Sequence, residues 1–337
     1  MIECLKELCL INGISGNEDK VRDYIVDHIK SFCEYRIDNL GNIIAFKKGR
    51  KSPGKRLMIS AHMDEVGFIV NYINDDGSLE ITSVGGVETS AVMGKRVLVG
   101  KNEINGVVGS AAVHNISKDD REKAPSLSSL CVDIGAGNKD EASKLVSLGD
   151  SVCFVPEFIS LGENKILSKA IDDRFGCALM IKLLQSELEY DAYFTFVVQE
   201  EIGLRGSRTA AYTVNPDVAV VIEATTASDI PSAEAEKKVC LLGNGPVVSY
   251  MDRATIYSKE LYNIAFDTAG ELNVNCQTKT MIAGGNDAGA IHTSRGGVKT
   301  IAVSLPCRYI HSPSSVADVR DIDDSYKLVK ELIKRIV

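Results

Sequence analysis

Four compact apolar runs dominate the chain: Arg56-Leu57-Met58-Ile59-Ser60-Ala61, Tyr193-Phe194-Thr195-Phe196-Val197-Val198, Val218-Ala219-Val220-Val221-Ile222 and Lys299-Thr300-Ile301-Ala302-Val303-Ser304. Short runs of this kind, alternating with helical periodicity, are strands of a sheet covered by helices on both faces. The spacing is uneven. More than 130 positions separate the first run from the second, and most of that interval has another texture. From about Val66 to Phe154 glycine recurs between short β-like pieces, among them Gly67-Phe68-Ile69-Val70, Lys95-Arg96-Val97-Leu98-Val99 and Gly106-Val107-Val108-Gly109. Such a stretch reads as a small barrel or sandwich. The expected fold class is therefore α/β: a mixed sheet sandwiched by helices, interrupted by an inserted small β-barrel domain. Residues 1–66 and 162–337 form one discontinuous domain and residues 67–161 the insert.

Around the strands, helical spacing predicts helices over Asn17–Cys33, Arg174–Leu184, Lys259–Ala269 and Ile322–Val337. Asn17 is placed as the N-cap of the first, ahead of Glu18 and Asp19. Asn115 to Ser129 is polar and reads as an exposed loop. The length of 337 residues suits two domains or one large one, at ~100–200 residues per domain.

With 38 Lys+Arg against 46 Asp+Glu, the net charge is −8, and no basic cluster stands out. This argues against nucleic acid or an anionic membrane as a partner. No apolar run approaches the ~20 residues needed to span a bilayer. The opening Met1-Ile2-Glu3-Cys4-Leu5-Lys6 lacks a basic segment leading into an apolar one, so a cytoplasmic protein is expected. The nine cysteines include no Cys-x-x-Cys and read as reduced, mostly buried thiols.

Acidic residues and histidines fall at the ends of the predicted strands. The first strand runs into His62-Met63-Asp64-Glu65, the second into Gln199-Glu200-Glu201, the third into Glu223, and the fourth is followed by His311. Asp172-Asp173 precedes a helix. Ligands of α/β sheets bind outside the carboxyl ends of the strands, so His62, Glu200, Glu201, Glu223 and His311 are expected on one rim with Asp172 beside them. Two histidines among carboxylates suit zinc, cobalt or manganese. A carboxylate shared by two cations would hold them about 3.5–4 Å apart.

Each piece alone has an ordinary reading. His62-x-Asp64 is a strand-end histidine with an exposed aspartate, or a ligand with the acceptor that orients it. Glu200-Glu201 is a solvated acidic turn, or two carboxylates facing opposite ways. Asp172-Asp173 is a helix cap or a ligand. Glu223 is harder to explain as ordinary, because a carboxylate at the end of a buried strand needs a partner. Of the other histidines, His292 reads as a packing residue and His28 as solvent-facing. His114 ends a strand-like run in the insert.

Taken together, the chain resembles the TET-type aminopeptidases, self-compartmentalising dinuclear metallopeptidases with a zinc-exopeptidase-like fold. The resemblance covers essentially the whole chain. It rests on Ala61-His62-Met63-Asp64-Glu65-Val66-Gly67, Lys169-Ala170-Ile171-Asp172-Asp173-Arg174-Phe175-Gly176-Cys177, Gln199-Glu200-Glu201-Ile202-Gly203, Glu223-Ala224-Thr225 and Arg308-Tyr309-Ile310-His311-Ser312. Related carboxypeptidases and dipeptidases share the order of ligands but carry their extra domain before the last histidine. Here 110 positions separate His62 from Asp172 and only 88 separate Glu223 from His311.

The resemblance implies a metal-dependent aminopeptidase that trims short peptides. One metal would take His62, Asp172 and Glu223, and the other Asp172, Glu201 and His311. Glu200 would be the general base and Asp64 the support of His62. Two divalent ions per chain, zinc, cobalt or manganese, and dimers assembling into a twelve-subunit hollow tetrahedron through the insert are implied as well. Two positions depart from the common pattern. Glu223 stands where many members have Asp, and Gly284-Gly285-Asn286-Asp287-Ala288 has Asn where Thr is common. Asn286 and Asp287 are expected to border the substrate pocket.

Two other functions compete. A polysaccharide hydrolase would use two carboxylates ~5–10 Å apart and would have no work for His62 and His311. A scaffold with an inactive centre would not need the base and every ligand together.

Overall fold

The computed structural model describes residues 1–111, 125–282 and 284–337. His114 and most of the polar stretch expected as a loop lie outside the described residues. Among the described residues, an 11-stranded mixed sheet forms the frame. Its centre is four parallel strands in the order Ala192–Val197, Leu57–His62, Val218–Thr226 and Lys299–Arg308. Antiparallel strands flank them: Ile43–Lys47 and Glu34–Ile37 on one side, Ser315–Asp318, Lys165–Ser168 and Phe158–Leu161 on the other.

Strand alternation explains why the central runs are apolar throughout, since successive side chains enter opposite cores. Leu57, Ile59, Phe194, Phe196, Val218, Val220, Ile222, Ile301 and Val303 pack on one face against the helices Ile2–Leu10, Asp19–Ile29, Ile171–Leu184, Lys259–Leu272 and Val319–Arg335. The intervening Met58, Val197, Ala219, Val221 and Ala302 pack on the other against Arg205–Val214 and Ala288–Ile291. The last long helix buries Ile322, Leu328, Val329, Leu332 and Ile333 and turns its charges outward.

The glycine-rich stretch forms a closed barrel in the order Gly67–Ile73, Leu79–Val84, Leu130–Asp133, Ile104–Ser110, Arg96–Val99 and Ser151–Phe154. Closure removes the exposed edges that such short strands would leave. Its interior is a separate core in which Phe68 and Phe154 meet edge to face. The strand Phe158–Leu161 pairs with Lys165–Ser168 and so belongs to the large sheet.

Two local expectations change. The helix expected from Asn17 spans Asp19–Ile29. The Asn17 amide donates to Ser151 Oγ at 3.0 Å, tying the loop to the barrel, and the chain turns after Ile29 where Phe32 N–H reaches Ile29 O. His28 is half-buried and stacks on Tyr24 with centroids 4.1 Å apart, rather than facing solvent freely. His292 bonds the Ala288 carbonyl as a packing residue does. The cysteines are all free thiols, and Cys9, Cys153, Cys177, Cys240 and Cys307 are buried.

Candidate metal centre and active site

Register puts the strand ends side by side. Val197 lies opposite His62, and Val221 lies opposite Ser60, two residues short of Glu223 and His62 respectively. His62 Nε2 is 3.2 Å from Asp172 Oδ1 and 3.3 Å from Glu223 Oε1. The other oxygen of Asp172 is 3.5 Å from His311 Nε2, which is itself 3.4 Å from Glu201 Oε2. Asp172 thus spans the two histidines, one oxygen to each.

Each residue is placed by an identifiable local device. Asp172 and Asp173 lie at the start of Ile171–Leu184 with non-helical backbone angles. They divide the two readings of that pair. Asp173 Oδ1 accepts the Gly176 N–H at 2.9 Å, as a cap does, while Asp172 faces the histidines. Gly176 has no room for a side chain: a Cβ there would come within 2.5 Å of Asp173 Oδ2 and 2.8 Å of Ala61 Cβ. Gln199, at φ +57°, turns the chain out of its strand. Tyr309 and His311, at φ +59° and +60°, turn it after the fourth strand, and the Ser312 and Ser315 hydroxyls brace that turn on the Tyr309 carbonyl.

Asp64 does more than orient His62. The imidazole Nδ1 lies nearer the Asp64 carbonyl, at 3.1 Å, than its carboxylate, at 3.5 Å. The carboxylate accepts the N–H groups of Glu200 and Glu201 and the hydroxyl of Ser15. Glu18 acts in parallel, accepting the N–H groups of Gly16 and Gln199.

Beneath the site lies a buried ionic knot. Lys169 Nζ bonds both Glu65 oxygens at 2.5 and 2.6 Å. Arg174 donates to the carbonyls of Met63, Leu8, Ile11 and Gly13. These contacts seat the N-terminal segment under the loop that carries His62 and Asp64. Ser15, Glu18 and the roles of Glu65, Lys169 and Arg174 escaped sequence reasoning. Only the last three fall within the motifs that carry the resemblance, and nothing in Gly13-Ile14-Ser15-Gly16 signals a long-range contact.

Burial and crowding of like charge set the electrostatics. Burial, then the Asp172 charge, pushes the Glu201 carboxyl up to about 7. The same causes push Glu223 up to about 8. Burial also holds Glu200 well above the carboxylate range, reinforced by Glu223, Asp287 and Glu201 against the opposing pull of His62. Burial would depress His311, but Asp172 and Glu201 raise it to about 9. The ring of His62 rises well above its usual value for the same reason: Glu223, Asp172 and Asp64 outweigh its burial.

The residues fit divalent cations. Donor atoms of His62, Asp172 and Glu223 lie within 4.8 Å of one another, as do those of Asp172, Glu201 and His311. Bonds of 2.0–2.1 Å in a tetrahedron make ligand–ligand edges of roughly 3.3 Å, close to the separations found here. Glu223 Oε2 is buried with no hydrogen-bond partner, a costly state that a cation would relieve. Glu200 also approaches His62 and Glu201 closely enough to be a third donor set.

Of the loop residues, Asn286 is committed within the protein. Its Oδ1 accepts the Ala288 N–H at 2.9 Å, and its amide bonds the Tyr257 hydroxyl at 3.0 Å. Asp287 is fully buried, neither oxygen has a hydrogen-bond partner, and burial pushes its carboxyl up to about 6.

Histidines and carboxylates gathered at the parallel strand ends of a mixed α/β sheet, beside a closed barrel, form a buried acidic centre able to hold metal ions. The chain belongs to the M42 glutamyl aminopeptidase family, whose model matches residues 41–328, and is thereby an aminopeptidase-family hydrolase acting at peptide N-termini. A putative aminopeptidase of Acetivibrio thermocellus is 40% identical over 336 residues, covering 99% of this chain and 98% of the relative. The lysyl aminopeptidase of Pyrococcus furiosus is 35% identical over 344 residues, covering 99% and 97%. Among solved structures, a TET aminopeptidase from the Thaumarchaeota archaeon SCGC AB-539-E09 superposes with TM-score 0.94 at 32% identity, over 99% of this chain and 96% of that one. The TET1 peptidase of Pyrococcus horikoshii, which can assemble into a tetrahedron or a large octahedral shell, gives 0.86 at 32%, over 98% of each chain. A Thermotoga maritima protein described as an endoglucanase gives 0.80 at 36%, over 99% of each.

Proposed function

We propose that this chain is a metal-dependent aminopeptidase that removes N-terminal residues from short peptides, with Glu200 as general base. The observation that carries the reading is the sharing of Asp172 between two donor sets, His62–Asp172–Glu223 and Asp172–Glu201–His311, with Glu200 beside both. Two divalent cations held there, of zinc, cobalt or manganese type, would polarise the scissile carbonyl and make a water acidic enough to attack at neutral pH.

The chain's own residues do the rest. Glu200, raised by burial but kept ionised by the cations nearby, takes the proton of the attacking water on its carboxylate and passes it to the leaving nitrogen. Asp64 fixes the Glu200 and Glu201 peptides. Asp287 and Asn286 border the substrate side, where the buried Asp287 carboxylate adds to the negative potential that favours a free ammonium.

Self-association accompanies the activity. In this proposal the barrel insert, residues 67–161, joins subunits into dimers and a twelve-subunit shell; what supports self-association is that the Pyrococcus horikoshii relative can assemble into a tetrahedron or a large octahedral shell. Enclosure restricts substrates to short or unfolded peptides. No helix among the described residues is long and apolar enough to cross a membrane, and cytoplasmic location is part of the same proposal. A glycan-cleaving role would leave His62 and His311 without work.

The test is release of free amino acids from short peptides before and after chelation. Loss of release on chelation and recovery with zinc, cobalt or manganese is expected. Full activity in thoroughly metal-free protein, or cleavage of glycans and not peptides, would overturn the reading.

A further inference from the structure

A cavity of about 620 Å³ opens beside His311, between the barrel and the large sheet. Its floor is the chain on both sides of that histidine, Tyr309–Ile310 and Ser312–Ser314. The barrel supplies the facing wall, Glu88 to Lys95, pinned in place where the Glu88 N–H donates to the His311 carbonyl at 3.2 Å. The third wall is Thr226 to Ile230, which continues the strand carrying Glu223. The cavity therefore adjoins two of the proposed cation ligands.

Its chemistry is mostly apolar. Met93 is 44% exposed and Tyr309 54% exposed, and both turn large apolar surface toward it, with Ala91, Ile230, Ile310 and Pro313 around them. The charged groups present are engaged or balanced. Arg308 donates to both oxygens of Asp229, at 2.5 and 2.9 Å. The Glu88 carboxylate is turned onto the N–H and hydroxyl of Ser90, which lowers its pKa. Lys95 stands on the same wall as Glu88 with opposite sign. With one cation, Lys95, and one anion, Glu88, on the same wall, the cavity has no net charge to favour either sign of side chain, whereas an apolar one gains contact area.

We infer that this cavity receives the side chain of the substrate's N-terminal residue and selects uncharged, apolar side chains of the size of Leu, Met or Phe. The inference rests on the proposed aminopeptidase reading and adds the substrate class to it. The cavity begins one residue either side of His311, so its occupant lies within about one residue of the scissile carbonyl. In an exopeptidase that acts at the N-terminus, the side chain held there while the rest of the peptide leaves is that of the first residue. A volume of this order accommodates a large side chain with room to spare.

The experiment is kcat/KM for the metal-loaded wild type on Leu-, Met-, Phe-, Glu- and Lys-anilides. The three apolar substrates are expected to exceed the two charged ones at least tenfold. Met93→Lys should raise the Glu-to-Leu ratio about tenfold or more, and Met93→Glu should raise the Lys-to-Leu ratio likewise. Ile230→Lys, on the opposite wall, repeats the first change independently should a Met93 variant fold poorly. Wild-type preference for Glu or Lys, or ratios that none of the three variants moves, would overturn the pocket assignment while leaving the aminopeptidase reading intact. Absence of hydrolysis of every anilide and every short peptide by metal-loaded protein would overturn that reading and the pocket with it.

Discussion

The carboxylate of Asp64 lies behind the peptide of Glu200: Oδ1 accepts the Glu200 N–H at 3.0 Å, while Oδ2 accepts the Glu201 N–H at 3.1 Å and the Ser15 hydroxyl at 2.6 Å. One buried anion therefore fixes the peptides of two adjacent glutamates, to which different tasks are proposed. It also lies 3.5 Å from His62 Nδ1, so the same carboxylate touches a residue of each donor set.

Asp64→Asn places an amide nitrogen against an N–H donor, so one of these contacts becomes repulsive. Groups that orient metal ligands typically contribute 10–100-fold to affinity or activity. Turnover is expected to fall by about that factor, with a loss of cation affinity of similar size, both measured on protein that remains folded by circular dichroism. Turnover within twofold of wild type would show that Asp64 does not position the turn.

Lys169→Met leaves the Glu65 carboxylate, buried to 2% exposure, facing only Gly13 N–H and a 3.4 Å contact to Arg174. Removing one partner of a buried pair costs about 3–5 kcal/mol. Denaturant unfolding should register a loss of this size, and the double change with Glu65→Gln should restore part of it. A loss below about 1 kcal/mol would contradict the role given to the knot.

Much of this architecture was legible in the sequence because the parallel strands announce themselves. Leu57–His62 and Val218–Thr226 are buried on both faces, so their apolar runs and the residues just beyond them mark the rim directly. The barrel was legible as texture, since short strands separated by glycine turns leave a periodic trace. Legibility failed where placement depends on contacts far apart in sequence. Ser15 reaches Asp64 across 49 positions and Glu18 reaches Gln199 across 181, and neither carries a local pattern. The Asp172-Asp173 pair was ambiguous because capping and ligation use the same carboxylate chemistry. The backbone at the start of the helix Ile171–Leu184 separates the two: Asp173 accepts the Gly176 N–H and Asp172 faces His62 and His311.

Glu18 offers a test by pH. Burial raises its carboxyl from 4.5 to about 7. Between those values the folded protein holds a proton that the unfolded chain has released. Stability from this group is thus fully present below pH 4.5 and is lost as pH rises through about 7. Glu18→Gln can still accept the Gly16 and Gln199 N–H groups but does not titrate. The variant should show a flatter stability profile over that window and be more stable than wild type above pH 7, by at most about 3 kcal/mol. A variant as pH-dependent as wild type would contradict this.

Cation binding should depend on pH in a defined direction. Glu201, near 7, and Glu223, near 8, carry protons at lower pH that a cation must displace, as does His311, near 9. Affinity should therefore rise with pH, by tenfold or more between about pH 6 and 8. Titration calorimetry at pH 7 in buffers of different ionisation enthalpy should record proton release. Affinity that is flat over this range, with no protons released, would contradict the ligand assignment.

The central claim is that neighbouring carboxylates divide base and ligand between them, and a paired measurement on Glu200→Gln and Glu201→Gln tests it most directly. Each variant is reconstituted with zinc or cobalt, bound metal is counted by elemental analysis, and kcat is measured on a short peptide. General acid–base catalysis contributes roughly 10²–10⁴-fold. Glu200→Gln should therefore lose at least about a hundredfold in kcat while keeping wild-type metal content. Glu201→Gln should lose occupancy of the cation held with Asp172 and His311. Near-normal turnover in Glu200→Gln would contradict the mechanism, and metal loss in Glu200→Gln with retention in Glu201→Gln would reverse the two roles.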